Sequence, residues 1–403
     1  MGKLELDLIH TILLSMVVLF GGRWLVAKVG VLQRFSIPAP VVGGGIIAIL
    51  LAFADGLAGL RISFNMALKD SLLLMFFTTI GLAADARMLK KGGTKLVVFL
   101  AISAVFILIQ NAVGIGAALA LDLHPVIGMF AGSITLVGGH GTGAAYAGRL
   151  GETMSLQGVM ELAMAAATAG LVIGAILGGP ITEYLIKRHK LSGPAAGPAE
   201  EAAADKEEHD EVSARTLINS LFVVLACLAG GKLLVQLAEG TGFILPDFVF
   251  SLLLGVVLRN ATTFIPALRL SGRSIEVVGD ISLSLFLVMA LMTMKLLDLA
   301  NLAGPLLVIL AAQAVVMIAF AVLVTYNVMG RNYDAAVMSG GQVGFALSST
   351  ACALAIMKAV TLQHGASPLA FLIVPMVGAF FIDILNALAI QGSLALPLFG
   401  FAP

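Results

Sequence analysis

Long apolar stretches broken by short polar turns run the length of this 403-residue chain. A helix needs about 20 mostly apolar residues to cross a bilayer. Ten stretches read as such spans: 8–29, 38–60, 70–89, 95–120, 158–186, 215–238, 244–260, 276–297, 303–329 and 368–397. Two further segments, 125–150 and 333–357, are too rich in Gly, Ser and Thr to be ordinary spans. They occupy matching places, each between the fourth and fifth span of its half. The pattern predicts an all-α integral membrane protein.

The apolar pattern also repeats. Residues 8–28 read LIHTILLSMVVLFGGRWLVAK and residues 217–237 read LINSLFVVLACLAGGKLLVQL. Gly21-Gly22-Arg23 meets Gly230-Gly231-Lys232 at an offset of 209. SIPAPVVGGGIIAILL (36–51) answers ILPDFVFSLLLGVVLR (244–259), and DSLLLMFF (70–77) answers DISLSLFL (280–287). The chain thus divides into an N-terminal repeat (1–190), a linker (191–214) and a C-terminal repeat (215–403). Five spans per repeat is an odd number, so the second repeat must sit upside down relative to the first. The Gly-rich segments would then enter as re-entrant loops from opposite sides.

Composition agrees. Apolar residues make up 60% and charged residues 11%, against about 25% charged in a soluble domain. Net charge is zero, so nothing points to nucleic acid. Cys227 and Cys352 lie in apolar segments and suit buried packing better than a disulfide or a metal. The acidic start lacks the basic region of a secretory signal, which predicts an uncleaved first span. The linker is dense in Pro, Gly, Ala and acids and has nothing to bury, so it reads as flexible and solvated.

Lys and Arg give the orientation. With the N-terminus outside, sixteen fall on the cytoplasmic side, among them Lys90, Lys91, Lys187, Arg188 and Arg273. Six fall outside: Lys3, Arg61, Lys69, Arg149, Lys232 and Lys295. Both termini are therefore expected to be periplasmic and the linker cytoplasmic.

The chemistry concentrates in the Gly-rich segments. Gly138, Gly139, Gly141 and Gly143 do not repeat every four residues, as simple small-residue helix packing would require. Unwound backbone here, with Ser133, Thr135, His140 and Thr142, presents amides and hydroxyls to a small ligand. Flanking helix ends add partial charge. Gly170, Gly174 and Gly178 do sit four apart and read as packing. The second segment offers Gln342, Ser348, Ser349 and Thr350. Its register against the first is open: one alignment pairs Thr142 with Thr350, the other His140 with Gln342. Asp383 and Asn386 are three apart on one face of the last span, and Gln110 and Asn111 lie inside the fourth. A carboxylate with amide and carbonyl oxygens is what sodium needs, which makes Asp383, Asn386 and Asn111 candidate ion ligands. Asp383 or Glu161 is a candidate counter-charge for a substrate ammonium. No Ser-His-Asp, HExxH, Walker or CxxC pattern occurs, so hydrolysis and ATP coupling lack support and no cofactor is expected.

AGSITLVGGHGTGAA (131–145), QNAVGIG (110–116), GGQVGFALSST (340–350) and VPMVGAFFIDILNAL (374–388), with RFSIPAPVVGG (34–44) and MGRNYDAAVM (329–338), resemble the bacterial sodium/glutamate symporter family. The 2-hydroxycarboxylate transporters are similar at greater distance. The resemblance implies sodium-coupled L-glutamate uptake across the inner membrane by a homodimer with an elevator-like motion. It departs at the second loop, where Gln342 stands in place of an expected His and Ala346 in place of an expected Gly. Three other readings compete. They are a sodium- or proton-coupled transporter of another carboxylate such as aspartate or citrate, a passive channel, and an intramembrane enzyme. A channel would line its pore with rings from a symmetric oligomer, and an enzyme would need a nucleophile–base pair.

The orientation has a direct test. Cys introduced at Ser192 should react with impermeant reagents only from the cytoplasm, and Cys at Gly400 only from outside. Labelling of both from one side overturns the inverted arrangement.

Overall fold

In lipid a main chain must satisfy its own hydrogen bonds, and this one does so almost wholly as helix. The computed structural model describes residues 3–35, 37–58, 61–84, 86–154, 156–194, 212–238, 247–262, 270–294 and 302–399. Most of the linker lies outside them.

Helices α1 (Leu8–Lys28), α2 (Gly30–Arg34), α3 (Ala39–Ala58) and α4 (Lys69–Ala83) open the chain. The long α5 (Ala86–Ala120) follows. The first Gly-rich segment is helical but broken: α6 (Pro125–Met129), a π turn (Phe130–Ile134), then α7 (Gly139–Thr153). Helix α8 (Val159–His189) closes this part. After the linker come α9 (Ala214–Ala238), α10 (Asp247–Thr262) and α11 (Gly272–Met292). Helix α12 (Ala303–Phe320) runs on through a π turn (Ala321–Thr325) to Val328. The second Gly-rich segment is α13 (Tyr333–Leu347) and α14 (Thr350–His364). The chain ends on α15 (Pro368–Met376), a π turn (Val377–Phe381) and α16 (Ile382–Leu394).

Seven helices among the described residues are long and apolar enough to span a membrane. The other three expected spans are α3, α4 and α10. The stretch expected as one span over 70–89 ends at Ala83, and α5 begins at Ala86. Within α5, Gly93 leaves helical geometry (φ 60°, ψ −160°), so the apolar run starts there. Hydropathy does not register a break of this kind. A second departure from the all-helical expectation is small. Lys3–Leu6 and Arg61–Phe64 pair as two parallel strands, Lys3 opposite Arg61 and Leu6 opposite Phe64.

The helices sort into two packed groups. In the first, α4 lies against α10 and α11, α1 against α3, and α11 against α3. In the second, α13 lies against α8 and α14, α5 against α6 and α12, and α7 against α8. Between the groups the contacts are sparser, chiefly α7 on α11. Phe248 of α10 bridges them, stacked on Phe77 at 4.3 Å and edge-on to Tyr146 of α7 at 5.2 Å.

Close crossings hold the second group. Gly114 of α5 and Gly128 of α6 face each other so closely that a Cβ on either would overlap the other's carbonyl. Gly170, Gly174 and Gly178 put the same bare stripe of α8 against α13 and α14. Overpacking a core typically costs about 1–3 kcal/mol. Gly128→Leu should therefore lower the melting temperature of purified protein by several degrees, whereas Gly116→Ala, facing open space, should not.

Candidate functional site

Both Gly-rich segments break near the same point on α8. The first turns at Val137 and Gly138, and Gly139 enters α7 with φ 66°. That left-handed value favours glycine. The second is broken by Ser348 (φ −145°, ψ −90°) and the extended Ser349. A Cβ on Gly170 would meet the Leu347 carbonyl and lie 2.7 Å from Leu136 Cδ2. The two breaks thus converge on Gly170. Helices α7 and α14 both start at the breaks, so their positive ends face this region.

Adjacent residues of α5 hold the two segments. Gln110 Nε2 donates to the Ala346 carbonyl at 3.1 Å, two residues before the second break at Ser348. Asn111 Oδ1 accepts from the Ser133 amide at 3.2 Å, within the first segment's π turn. Asn111 Nδ2 donates to Ser393 Oγ at 3.2 Å. From α16, Asn386 Nδ2 donates to the Ser133 carbonyl at 2.9 Å. The Gly132 backbone (φ −115°, ψ −135°) leaves helical geometry here, which frees the groups these amides take up. Gln313 of α12 donates to the Gln110 carbonyl at 2.8 Å.

The expected site residues divide by what their side chains already do. Thr135 Oγ1 donates to the Phe130 carbonyl at 2.6 Å. Ser349 caps α14, accepting from the Cys352 amide at 3.2 Å. Thr350 Oγ1 donates to the Gly378 carbonyl at 2.6 Å, which docks the second break on the last π turn. Gln342 is buried, taking a bond from Thr325 and giving one to Ser103 Oγ at 3.4 Å. These four hold the protein to itself. His140 Nε2 pairs with Thr168 Oγ1 at 3.1 Å, and the Thr168 hydroxyl proton goes to the Met164 carbonyl at 2.8 Å. The shared proton of the His140–Thr168 bond therefore sits on Nε2.

The remaining expected residues are placed as follows. Ser133 Oγ is buried with no partner, and Ser348 packs on Gly174. A Cβ on Gly141 would lie 2.8 Å from Phe76 and 2.9 Å from Leu283, both in the first group of helices. The first break thus touches the boundary between groups. Asp383 is half-buried in the first turn of α16, one turn before Asn386. The structure joins Asn111 and Asn386 through Ser133 and leaves Asp383 out of that network. Glu161 is buried in the first turn of α8.

Gln313, Thr325 and Ser103 join this network without standing out as site residues along the chain. A glutamine inside an apolar span was the available signal for Gln313. Nothing along the chain distinguishes Thr325 and Ser103 from ordinary helix hydroxyls.

A cavity of about 370 Å³ opens between the groups, lined in part by Lys69, Asp70, Arg149, Asp247 and Phe248. Arg149 and Asp247 approach to 4.0 Å across it.

The sodium/glutamate symporter family matches residues 4–366. The sodium/glutamate symporter of Escherichia coli K12 is 44% identical over 398 residues, 98% of this chain and 99% of its own. That of Shigella flexneri matches to the same extent. That of Haemophilus influenzae is 44% identical over 390 residues, 96% of each chain. A multi-pass helical protein whose likeness to these transporters runs essentially end to end belongs to the sodium/glutamate symporter family.

Proposed function

We propose that this chain carries glutamate into the cell together with sodium, by an elevator-like motion of one helix group against the other. Its membership of the symporter family, with full-length relatives at 44% identity, carries the substrate and the ion. It is a transporter and not an enzyme. The motion is supported by the packing. The helices that hold both breaks (α5–α8 and α12–α16) form one group, and α1, α3, α4, α9, α10 and α11 form another, with sparse contact between them. The element order of 8–189 recurs in 214–394, which supports two inverted repeats of five spans with re-entrant breaks. The active unit is a homodimer in the inner membrane, with periplasmic termini and a cytoplasmic linker.

No Lys or Arg is among the groups that hold the breaks, so the substrate carboxylates are met by amides. The start of α7 (Gly138–Thr142) and that of α14 (Ser348–Thr350) supply main-chain N–H groups and the positive ends of two helices. Each such contact is worth roughly 0.3–2 kcal/mol. Lys69 and Arg149 at the cavity between the groups give an anion an approach from the side read as outer.

Flux into proteoliposomes tests the coupling. Glutamate should accumulate against its gradient only while a sodium gradient exists, and aspartate, citrate and protons should substitute poorly. Asp383→Asn should weaken the sodium dependence of uptake more than it lowers the melting temperature. An unchanged sodium response would make Asp383 structural.

The substrate site has its own test. Gly141→Val drives a side chain into Phe76 and Leu283, and Ser349→Val removes a helix cap worth about 0.5–2 kcal/mol. Both variants should lose glutamate binding in isothermal titration while still folding. Unchanged affinity in both would make the breaks packing elements.

A further inference from the structure

Three buried amides share one arrangement. Gln110 Nε2 donates to the Ala346 carbonyl at 3.1 Å, Gln313 Nε2 to the Gln110 carbonyl at 2.8 Å, and Asn386 Nδ2 to the Ser133 carbonyl at 2.9 Å. Each partner is a main-chain carbonyl, which accepts and never donates. The orientation of each amide is therefore fixed, with nitrogen to the main chain and oxygen away from it. The oxygens so released, Gln110 Oε1, Gln313 Oε1 and Asn386 Oδ1, have no hydrogen-bond partner, and neither has Ser133 Oγ. The four residues are 0%, 0%, 1% and 0% exposed.

The residues that carry these oxygens meet around the break in the first π turn. A Cβ on Gly132 would lie 3.2 Å from the Gln110 carbonyl and 3.4 Å from Gln313 Nε2. Ser133 is the next residue, and Asn386 reaches its carbonyl. Buried oxygens without donors are costly unless something pays their desolvation. Because the nitrogens are tied down, the amides cannot rotate to meet an anion. What fits is a small monovalent cation, since the ligands are neutral oxygens and carry no charge to balance a divalent one.

We propose that Gln110, Gln313, Asn386 and Ser133 form an oxygen cage for a small cation. The proposal rests on the sodium-coupled reading above. Two cations have the right chemistry: the coupling sodium ion and the ammonium of the amino acid. Asn111 differs from the four, because both ends of its amide are engaged, by Ser133 and Ser393. It positions Ser133. Asp383 lies one turn away without sharing a bond with the cage.

Two variants of the full chain test the cage. Ser133→Ala removes a hydroxyl that bonds to nothing, and Gln313→Met removes an amide at nearly constant length. Melting of purified protein is followed in NaCl against KCl, and glutamate uptake into proteoliposomes against sodium concentration. Ser133→Ala should melt like the wild type in KCl, whereas Gln313→Met, which also gives up its bond to the Gln110 carbonyl, should melt lower in both salts. Both variants should need at least tenfold more sodium for half-maximal stabilisation and for half-maximal uptake. If instead the KM for glutamate at saturating sodium rises tenfold and the sodium midpoint stays fixed, the cage holds the ammonium. If neither quantity moves, the cage is overturned. Should Gln313→Met fail to fold, Ser133→Ala decides alone, because it loses no hydrogen bond. A wild-type protein with no sodium response would overturn the symport reading instead, and the glutamate arm would still decide the cage.

Discussion

The structure depends on how main-chain groups released at helix breaks are satisfied away from water. An unpaired amide or carbonyl in an apolar interior costs several kcal/mol. Two helical segments are broken in the middle of the second helix group, so several such groups must find side-chain partners. Gln110 and Asn111, adjacent on α5, supply two of them, one for each broken segment. Asn386 and Thr350 supply others, at Ser133 and Gly378. The polar residues that look misplaced in these spans are what allow the breaks to exist.

The same constraint explains the three π turns. Each widens a helix by one residue and frees a carbonyl or turns a side chain inward, as such turns often do at functional sites. Ser133 lies in the first, Thr325 in the second and Gly378 in the third. All three take part in the hydrogen bonds that hold the broken segments. The bare stripe of Gly170, Gly174 and Gly178 then lets α8 come close enough for both breaks to meet on one side of it.

The two helix groups differ in what joins them. Within each, glycine crossings and apolar packing run over long helices. Between them lie the Phe248–Tyr146 aromatic contact, the first break against Phe76 and Leu283, and the Arg149–Asp247 pair beside a cavity. An exposed ion pair of that length contributes little. A boundary of this kind suits sliding better than a continuous interdigitated core, in which volume is tightly conserved.

The sequence by itself determined the membrane setting, the helical class and the places of both breaks, because each follows from local physics. Twenty apolar residues fit a bilayer, and non-periodic glycines beside Ser and Thr do not make a plain span. It also singled out Gln110, Asn111 and Asn386, since an amide inside an apolar helix needs a partner. It did not determine which partner. Thr135, Gln342, Ser349 and Thr350 look from the chain like ligand groups, yet their bonds go to the protein's own backbone or neighbours. Gln313, 203 residues from the carbonyl it serves, gains its meaning only when α12 lies against α5. The helix end at Ala83 and the pairing of Lys3–Leu6 with Arg61–Phe64 are likewise decided by chain geometry that hydropathy does not record. Hydrogen-bond partners across helices are chosen by tertiary packing, which sets distances no local pattern encodes.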